Sequence, residues 1–461
     1  MKKILITSLI IISSIVDGYA QELPRLKISD NNQYIVTDNN KPFFWLGGTA
    51  WELLHRLNRE EVLIYLDDRA AKGFTVIQTV ILAEIDGLNT PNAYGDLPLI
   101  NKNPTQINEK YFEHVDYVIQ QAEKLGIYVG LLPAWADKLW AVRPIDSEKG
   151  TGMPLINSKN AEKYGELLAR RYLNQSNIIW VLGGDWVPRD DDQVETIRAM
   201  ARGIRKVDTE HLITFHPRGG KYATQHFNDE WLDFDMFQTG HGSFVKDYEF
   251  VAKCKAISPS RPIINGEPRY ENIPNRLSRQ ALYGWLDDSD VRISAYWSML
   301  SGAAGYTYGC NDIWQMYSIE RTPKILARTG WQKAIHLPGS THVKYMKELL
   351  SLFPWHKMDN NQSIILNENP KDSVHIVCSI GNEKDFILAY TPIGKPITLD
   401  LSKMNAETVK AFWFNPRTAE SIKIGEFKVT ETPEFKPWSM GRGSDFVLVI
   451  LDFNSNYKLP K

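Results

Sequence analysis

The 461-residue sequence is poor in cysteine and has no excess of either charge. Its three scattered cysteines, Cys254, Cys310 and Cys378, are too few for a disulfide framework or a zinc site, so we expect buried thiols. Lysine and arginine number 53 against 55 acidic residues. This balance argues against electrostatic binding to nucleic acid or anionic lipid, and we expect neither as a partner.

Several catalytic signatures are also missing. The sequence contains no HExxH zinc motif, no GxSxG nucleophile elbow, no phosphate-binding P-loop and no GxGxxG dinucleotide turn. His216 and His241 could share a metal, but no third ligand lies at a suggestive spacing. We therefore predict no metal and no cofactor.

A long hydrophobic run occurs near the N terminus. Lys2 and Lys3 precede the apolar residues 4–16, and small residues follow at Gly18 and Ala20. This pattern predicts a secretory signal peptide over residues 1–20, because the run is too short for a membrane span. No cysteine follows the expected cleavage point to carry a lipid anchor. We expect a secreted or periplasmic protein without a membrane anchor.

The chain from 21 to 353 alternates strand-like and helix-like segments, which predicts an α/β fold with a (β/α)8 TIM barrel. The predicted strands are 43–46, 76–82, 128–132, 178–182, 212–215, 236–238, 262–264 and 305–308. Amphipathic helices are predicted at 59–72, 108–125, 160–173, 193–207, 248–257 and 278–300. From 354 to 461 the pattern changes to short β-rich runs separated by turns, which predicts a small antiparallel β-sandwich domain.

Two carboxylates stand where barrel enzymes carry their chemistry, at the C-terminal ends of strands. Asp185 follows the apolar fourth strand and two glycines, and Trp186 beside it would desolvate the acid and suit it to proton donation. Glu267 ends the seventh strand, and Arg269 could help to keep it ionised as a nucleophile. The alternatives to catalytic roles are structural: Asp185 could cap a helix, and Glu267 could form an ion pair.

Two opposed carboxyl groups are the catalytic groups that glycoside hydrolysis typically uses. The arrangement resembles that of the clan A retaining glycoside hydrolases, in which the acid/base follows strand four and the nucleophile follows strand seven. That clan usually has glutamate preceded by asparagine at the first position. Here Gly184 precedes Asp185. Aspartate is shorter than glutamate, so the backbone must place its carboxyl group closer to the glycosidic bond.

A closer resemblance, to glycoside hydrolase family 140, covers nearly the whole mature chain. It rests on the segments FWLGGTAWELLHRL (44–57), GFTVIQ (73–78), GGDW (183–186) and NGEP (265–268). The segments WFNPRT (413–418) and FVLVIL (446–451) resemble the β-domain of that family, once labelled collagen-binding. The resemblance implies an apiosidase that releases β-linked apiose from the pectic polymer rhamnogalacturonan II, with Asp185 as acid/base and Glu267 as nucleophile.

Further polar and aromatic residues at strand ends are candidates for binding a polysaccharide or oligosaccharide substrate. Indoles stack on sugar rings, neutral hydrogen-bonding groups bind hydroxyls, and arginines could meet uronic-acid carboxylates. The candidates are Trp51, Trp135, Trp186, His216, Arg218, Gln238, His241, Asn265, Arg269, Asn311 and Trp314. Glu84 and Asp137 also follow strands but are weaker candidates.

Other functions remain open at this stage. The same scaffold could cleave another plant-glycan linkage or invert the anomeric centre, which a wider carboxyl separation would indicate. A different kind of function is also possible: the protein could bind a carbohydrate or a matrix without catalysing a reaction. The sequence does not determine the oligomeric state.

Overall fold

The computed structural model describes residues 22–139 and 154–460. The predicted signal peptide lies outside the described residues. Within them, no helix combines the length and the apolar character that a membrane span requires.

An N-terminal hairpin precedes the barrel and packs against its lower end. It consists of β1 (Leu26–Ile28) and β2 (Ile35–Thr37), paired antiparallel. Leu26 and Ile35 are buried in one cluster with the side chains that fill the barrel, among them Val76 and Tyr128. The hairpin therefore covers the end of the barrel opposite to the strand C termini.

The barrel contains eight parallel strands that neighbour one another in chain order. Their side chains are buried on both faces, as expected for parallel strands with helices outside. The strands are β3 (Trp45–Thr49), β4 (Val76–Leu82), β5 (Tyr128–Ala134), β6 (Ile178–Gly183) and β7 (Ile213–His216), followed after β8 (Lys221–Tyr222) by β9 (Asp235–Gln238), β10 (Ile263–Glu267) and β11 (Gly305–Tyr308).

The barrel closes between β7 and β9 without a regular ladder. The hydroxyl of Thr214 donates to the carbonyl of Phe234 at 2.7 Å, and the amide of Asp233 donates to the carbonyl of Ile213 at 3.0 Å. The short strand β8 pairs antiparallel with β9 at this seam. The predicted (β/α)8 barrel is confirmed.

Helices surround the barrel, and several of them begin at residues whose side chains cap them. Asn58 and Asp287 form capping boxes with Glu61 and Asp290, respectively. The helices are α1 (Leu53–Arg56), α2 (Arg59–Ala71), α3 (Glu109–Lys124), α4 (Ala136–Leu139), α5 (Ala161–Tyr172), α6 (Asp191–Arg205), α7 (Asp247–Lys255), α8 (Asp288–Leu300), α9 (Asn311–Trp314), α10 (Trp331–Ala334) and α11 (Pro338–Ser351).

The predicted helix over 278–300 is wrong in its first part. The helix begins at Asp288, because the Asp287 side chain caps the Ser289 amide. Residues 278–287 form a loop, in which Ala281 has a positive φ of 48°. Such a backbone conformation cannot continue a right-handed helix.

The C-terminal part forms two antiparallel sheets with their own apolar core. The six-stranded sheet has the order β12 (Met358–Asn360), β13 (Val377–Gly381), β14 (Phe386–Thr391), β19 (Phe446–Asp452), β16 (Thr408–Phe414), β17 (Ser421–Lys428). The two-stranded sheet pairs β15 (Ile397–Thr398) with β18 (Glu434–Phe435). Ile397 and Phe435 pack with Cys378 and Leu448 between the two sheets. The predicted antiparallel β-fold after the barrel is confirmed.

A buried ionic cluster joins the C-terminal sheets to α8. The guanidinium of Arg292 donates to both carboxylate oxygens of Asp445, at 2.8–3.1 Å. Tyr390 and Arg417 donate to the same carboxylate at 3.0 Å. Arg292 of the barrel and Tyr390 and Arg417 of the sheets thus share one buried acceptor, Asp445. This shared acceptor fixes the contact between the barrel and the sheets.

Candidate active site

Asp185 is carried by a turn that only glycines permit. Gly183, Gly184 and Asp185 all have positive φ, of 87°, 138° and 51°. A Cβ atom on Gly183 would lie 2.5 Å from the Phe215 ring, and one on Gly184 would lie 2.8 Å from the Trp135 ring. Aspartate is among the side chains that tolerate the left-handed region best. The turn therefore exposes Asp185 at the mouth of the barrel and favours this shorter acid.

Glu267 reaches the same mouth through an irregularity in β10. Along this strand Ile264 points into the barrel, whereas Asn265 donates to Ser298 of the surrounding α8. Regular alternation would turn Glu267 to the side of Asn265. A bulge between Asn265 and Glu267 shifts the register against β9 and redirects the carboxylate. Glu267 is 5% exposed as a result.

Two histidines contact the Glu267 carboxylate. Nε2 of His241 forms a hydrogen-bond contact of 3.2 Å with Oε1. Nε2 of His216 lies 3.0 Å from Oε2, although the two atoms are not aligned as a regular hydrogen bond. His216 ends β7 and His241 follows β9, so adjacent strands of the barrel place both rings.

His216 also binds the loop of the other carboxylate. The backbone amide of Asp185 donates to Nδ1 of His216 at 3.1 Å. Since Nδ1 accepts this hydrogen bond, the proton of the neutral ring belongs on Nε2, which faces Glu267. One imidazole thus links the two candidate catalytic residues.

The two carboxyl groups have opposite pKa shifts. The surrounding walls of the cleft desolvate Asp185 even though its side chain keeps contact with solvent, and together with the charge of Glu267 they raise its pKa to about 6. Burial alone would raise the pKa of Glu267, but the contacts with His216 and His241 outweigh it and hold that pKa below its usual range. Asp185 is therefore suited to hold a proton and Glu267 to stay ionised.

Aromatic side chains form a wall beside these groups. The rings of Trp51 and Trp135 lie 5.1 Å apart, and Trp51 meets His216 edge-on at 5.3 Å. Trp314 belongs to the same buried cluster. Trp186 is half-buried, and the exposed Arg218 lies 5.5 Å from its ring centre.

Gln238 and Tyr270 complete the surroundings of the acid pair. The amide side chain of Gln238 contacts the Asp185 carboxyl group. The Tyr270 ring packs against His241 with the ring centres 4.3 Å apart and the planes tilted by 47°, and its hydroxyl contacts Glu267. The sequence reasoning missed Tyr270, although it lies only three residues after Glu267 in the same segment.

Three predicted substrate-binding residues have their side chains bound within the protein instead. Arg269 donates to the carbonyl of Val245 and to Asp247. Its guanidinium is therefore not the group that keeps Glu267 ionised, contrary to the expectation from the sequence. Asn265 donates to Asp247 at 3.1 Å. Asn311 donates to a backbone carbonyl and accepts from Trp314. These three are better explained as buried structural groups than as sugar ligands.

Two further carboxylates lie at the mouth. Burial raises the pKa of Glu84 to about 8, with the Lys324 ammonium opposing the shift and the Asp185 charge adding to it. Lys324 Nζ lies 4.0 Å from Glu84 Oε1. Asp137 is exposed and pairs with Lys138 at 2.7 Å. Glu84 is thus the closer electrostatic neighbour of Asp185.

Comparison with known proteins identifies related domains over most of the chain. The model of the apiosidase-like catalytic domain matches residues 29–357, and a model of a collagen-binding-like domain from a collagenase matches residues 360–451. No curated protein matches the chain.

Two solved structures are similar over nearly the full length. A glycoside hydrolase from Bacteroides vulgatus, described as family 5, is 33% identical with a TM-score of 0.85, and the match covers 95% of this chain and 96% of that one. A second glycoside hydrolase has the same identity and TM-score over 94% and 98% of the two chains. The family model spans most of the chain, and the chain therefore belongs to the apiosidase-like family of glycoside hydrolases.

Proposed function

We propose that the protein is a secreted, retaining apiosidase that removes β-linked apiose from rhamnogalacturonan II. Asp185 is the proposed acid/base and Glu267 the proposed nucleophile. The observation that carries this proposal is the pair of opposite pKa shifts on Asp185 and Glu267, which both contact His216, one through its backbone amide and the other through its carboxylate.

The reaction follows from these two protonation states. Protonated Asp185 donates its proton to the glycosidic oxygen, while ionised Glu267 attacks the anomeric carbon. The glycosidic C–O bond breaks, the rest of the polymer leaves as an alcohol, and a glycosyl ester forms on Glu267. Asp185, now a carboxylate, then removes a proton from water, and the water oxygen displaces Glu267 from the sugar. Because the proton returns to Asp185, the site is regenerated after each turnover.

The proposed substrate contacts suit a neutral terminal sugar. The indoles of Trp51 and Trp135 offer apolar surface, and Gln238 and His241 offer hydrogen-bonding groups beside the acid pair. Trp186 and Arg218 are proposed as outer contacts, whereas Trp314 is 3% exposed and has little surface to offer a sugar. The choice of apiose and of a pectic polymer rests on the family resemblance alone.

Two further proposals concern the export of the chain and its division into domains. Residues 1–20 direct the chain out of the cytoplasm, and the catalytic barrel ends near residue 353, before the C-terminal sheets. In this arrangement the sheets support the barrel through Arg292 and Asp445 instead of acting as a separate adhesive module.

Product analysis tests the proposal directly. Wild-type protein incubated with rhamnogalacturonan II fragments should release apiose or an apiose-ended product, whose first-formed anomer keeps the β configuration. Glu267→Gln should release none. Asp185→Asn should retain activity only on aryl apiosides with good leaving groups, which need no proton. Release of a different sugar would redirect the proposal to another linkage, and an inverted anomer would exclude retention.

A further inference from the structure

An exposed group of aromatic side chains lies next to the candidate active site. Phe244 is 61% exposed and Tyr283 is 58% exposed. The guanidinium of Arg276 lies 5.0 Å from the Phe244 ring centre and 4.7 Å from the Tyr283 ring centre. We call these three residues the aromatic rim.

The aromatic rim is connected to Glu267 through one residue. The Arg276 amide donates to the carbonyl of His241 at 2.8 Å, and the His241 ring contacts Glu267 at 3.2 Å. A sugar chain that leaves the catalytic cleft on this side would therefore meet the rim next. The rim is continuous with the site but outside the residues assigned to the reaction.

The loops hold the rim in a fixed and strained shape. The Ser243 amide donates to Asn275 Oδ1 at 3.1 Å, and Asn275 Nδ2 donates back to the Ser243 hydroxyl at 3.0 Å. Arg276 and Leu277 both have positive φ, of 61° and 54°. Strain at non-glycine residues persists where the surroundings enforce it, often at ligand sites.

Gly242 provides the space that the Phe244 ring occupies. A Cβ atom on Gly242 would lie 2.4 Å from that ring, so the phenyl group folds back over bare backbone. The side chain is nevertheless 61% exposed, with the Arg276 guanidinium 5.0 Å from its ring centre. Exposed aromatic faces of this kind bind the apolar faces of sugars.

The charge of Arg276 indicates which sugars fit. Among residues 22–139 and 154–460, Arg276 forms no ion pair with a carboxylate of the protein. A guanidinium that stacks on aromatic rings keeps its N–H edge available for a carboxylate in its own plane. The rim thus combines sugar-stacking surface with a preorganised anion-binding group.

We propose that Phe244, Arg276 and Tyr283 form a subsite for a uronic-acid residue of the polymer that carries the cleaved sugar. This inference rests on the proposed function, because it assigns the main chain of the same substrate to the rim. The rings stack on the sugar and Arg276 binds its carboxylate. The subsite selects acidic polymers over neutral ones.

Binding of a substrate fragment that lacks the cleaved sugar tests this subsite separately from catalysis. The probes are short oligogalacturonides and the same oligosaccharides with their carboxyl groups reduced, titrated calorimetrically into the full protein. Wild type should bind the acidic probe more tightly. Arg276→Gln should weaken acidic binding roughly tenfold and abolish the preference. Phe244→Ala and Tyr283→Ala should weaken binding of both probes by about fivefold or more.

Phe453→Ala is the matched control. Phe453 is 40% exposed, and Lys410 lies 4.3 Å from its ring centre, but it follows β19 in the C-terminal sheet. This variant should bind as wild type does. Equal binding by wild type and Arg276→Gln, or no binding by wild type, would overturn the subsite even if apiose is released. Binding that depends on Arg276 without apiose release would keep the subsite and remove the proposed function.

Discussion

The backbone amide of Asp185 donates a hydrogen bond to Nδ1 of His216 at 3.1 Å. This single contact assigns the ring proton to Nε2, on the side of Glu267. The turn that carries the proposed acid thereby sets the tautomer of the group that contacts the proposed nucleophile. The two halves of the site are coupled through one ring.

Replacing His216 should separate the two roles of its ring. His216→Asn keeps an acceptor near the Asp185 amide but removes the group beside Glu267. Burial would then raise the pKa of Glu267, so the acidic limb of the pH profile should move to higher pH, because the nucleophile must be ionised. At pH 5 we expect kcat/KM to fall about tenfold, the loss expected for a charged contact.

The measurement is kcat/KM against pH for wild type and His216→Asn. His336→Asn is the control, since this histidine side chain is 69% exposed and pairs with Asp68 on the outside of the barrel. An unchanged acidic limb in His216→Asn would show that His216 does not stabilise the ionised nucleophile.

The basic limb should report the titration of Asp185. Its pKa is raised to about 6, and the acid must be protonated for the first step, so kcat/KM should decline as pH rises through about 6. The decline should be much weaker for an aryl apioside with a good leaving group. A flat profile between pH 5 and 8 on oligosaccharide would contradict the assignment of Asp185 as acid.

Gly184→Ala should damage the turn that carries Asp185. The new Cβ atom would meet the Trp135 ring at 2.8 Å, in a backbone conformation with φ of 138°. We expect a loss of stability of roughly 1–3 kcal/mol and a larger relative loss of activity, because the acid is displaced. Thermal unfolding and kcat measure the two effects.

Gly425→Ala serves as the comparison for this variant. Its Cβ atom would meet only the Phe427 ring, at 3.5 Å, an ordinary contact. It should change neither quantity appreciably. Full activity in Gly184→Ala would mean that the strained turn is not needed to position the acid.

Asp445→Ala should destabilise the whole protein. The substitution leaves the buried guanidinium of Arg292 without its main acceptor, and removal of one partner of a buried ion pair costs about 3–5 kcal/mol. Urea unfolding followed by tryptophan fluorescence measures the loss. Glu383→Gln, at an exposed position of the same sheets, should leave stability unchanged. A small effect of Asp445→Ala would show that the barrel and the sheets do not depend on each other.

The strands and their C-terminal residues could be predicted because buried strands have a recognisable pattern of residues in the sequence. All eight barrel strands consist of buried residues, and the residues at or just beyond their C-terminal ends, such as His216 and Asp185, lie at the mouth. That placement follows from topology and needs no knowledge of side-chain contacts.

The orientation of individual side chains could not be predicted in the same way. Asn265 and Arg269 flank Glu267 in sequence, yet both turn toward Asp247 behind the barrel. The bulge at Gly266 turns Glu267 away from them, and this bulge depends on pairing with β9, a long-range contact. The start of α8 was missed for a local reason, since the strained loop before it contains helix-forming residues.

The bulge in β10 also restricts how the enzyme can be engineered. A change between Ile264 and Glu267 that removed the bulge at constant length would restore simple alternation and send the carboxylate toward the helical shell. A library that randomises this segment should therefore keep Gly266, where an added Cβ atom would lie 2.5 Å from the Met236 side chain. Variation at Pro268 and beyond, after the strand has ended, leaves the aim of the carboxylate unchanged.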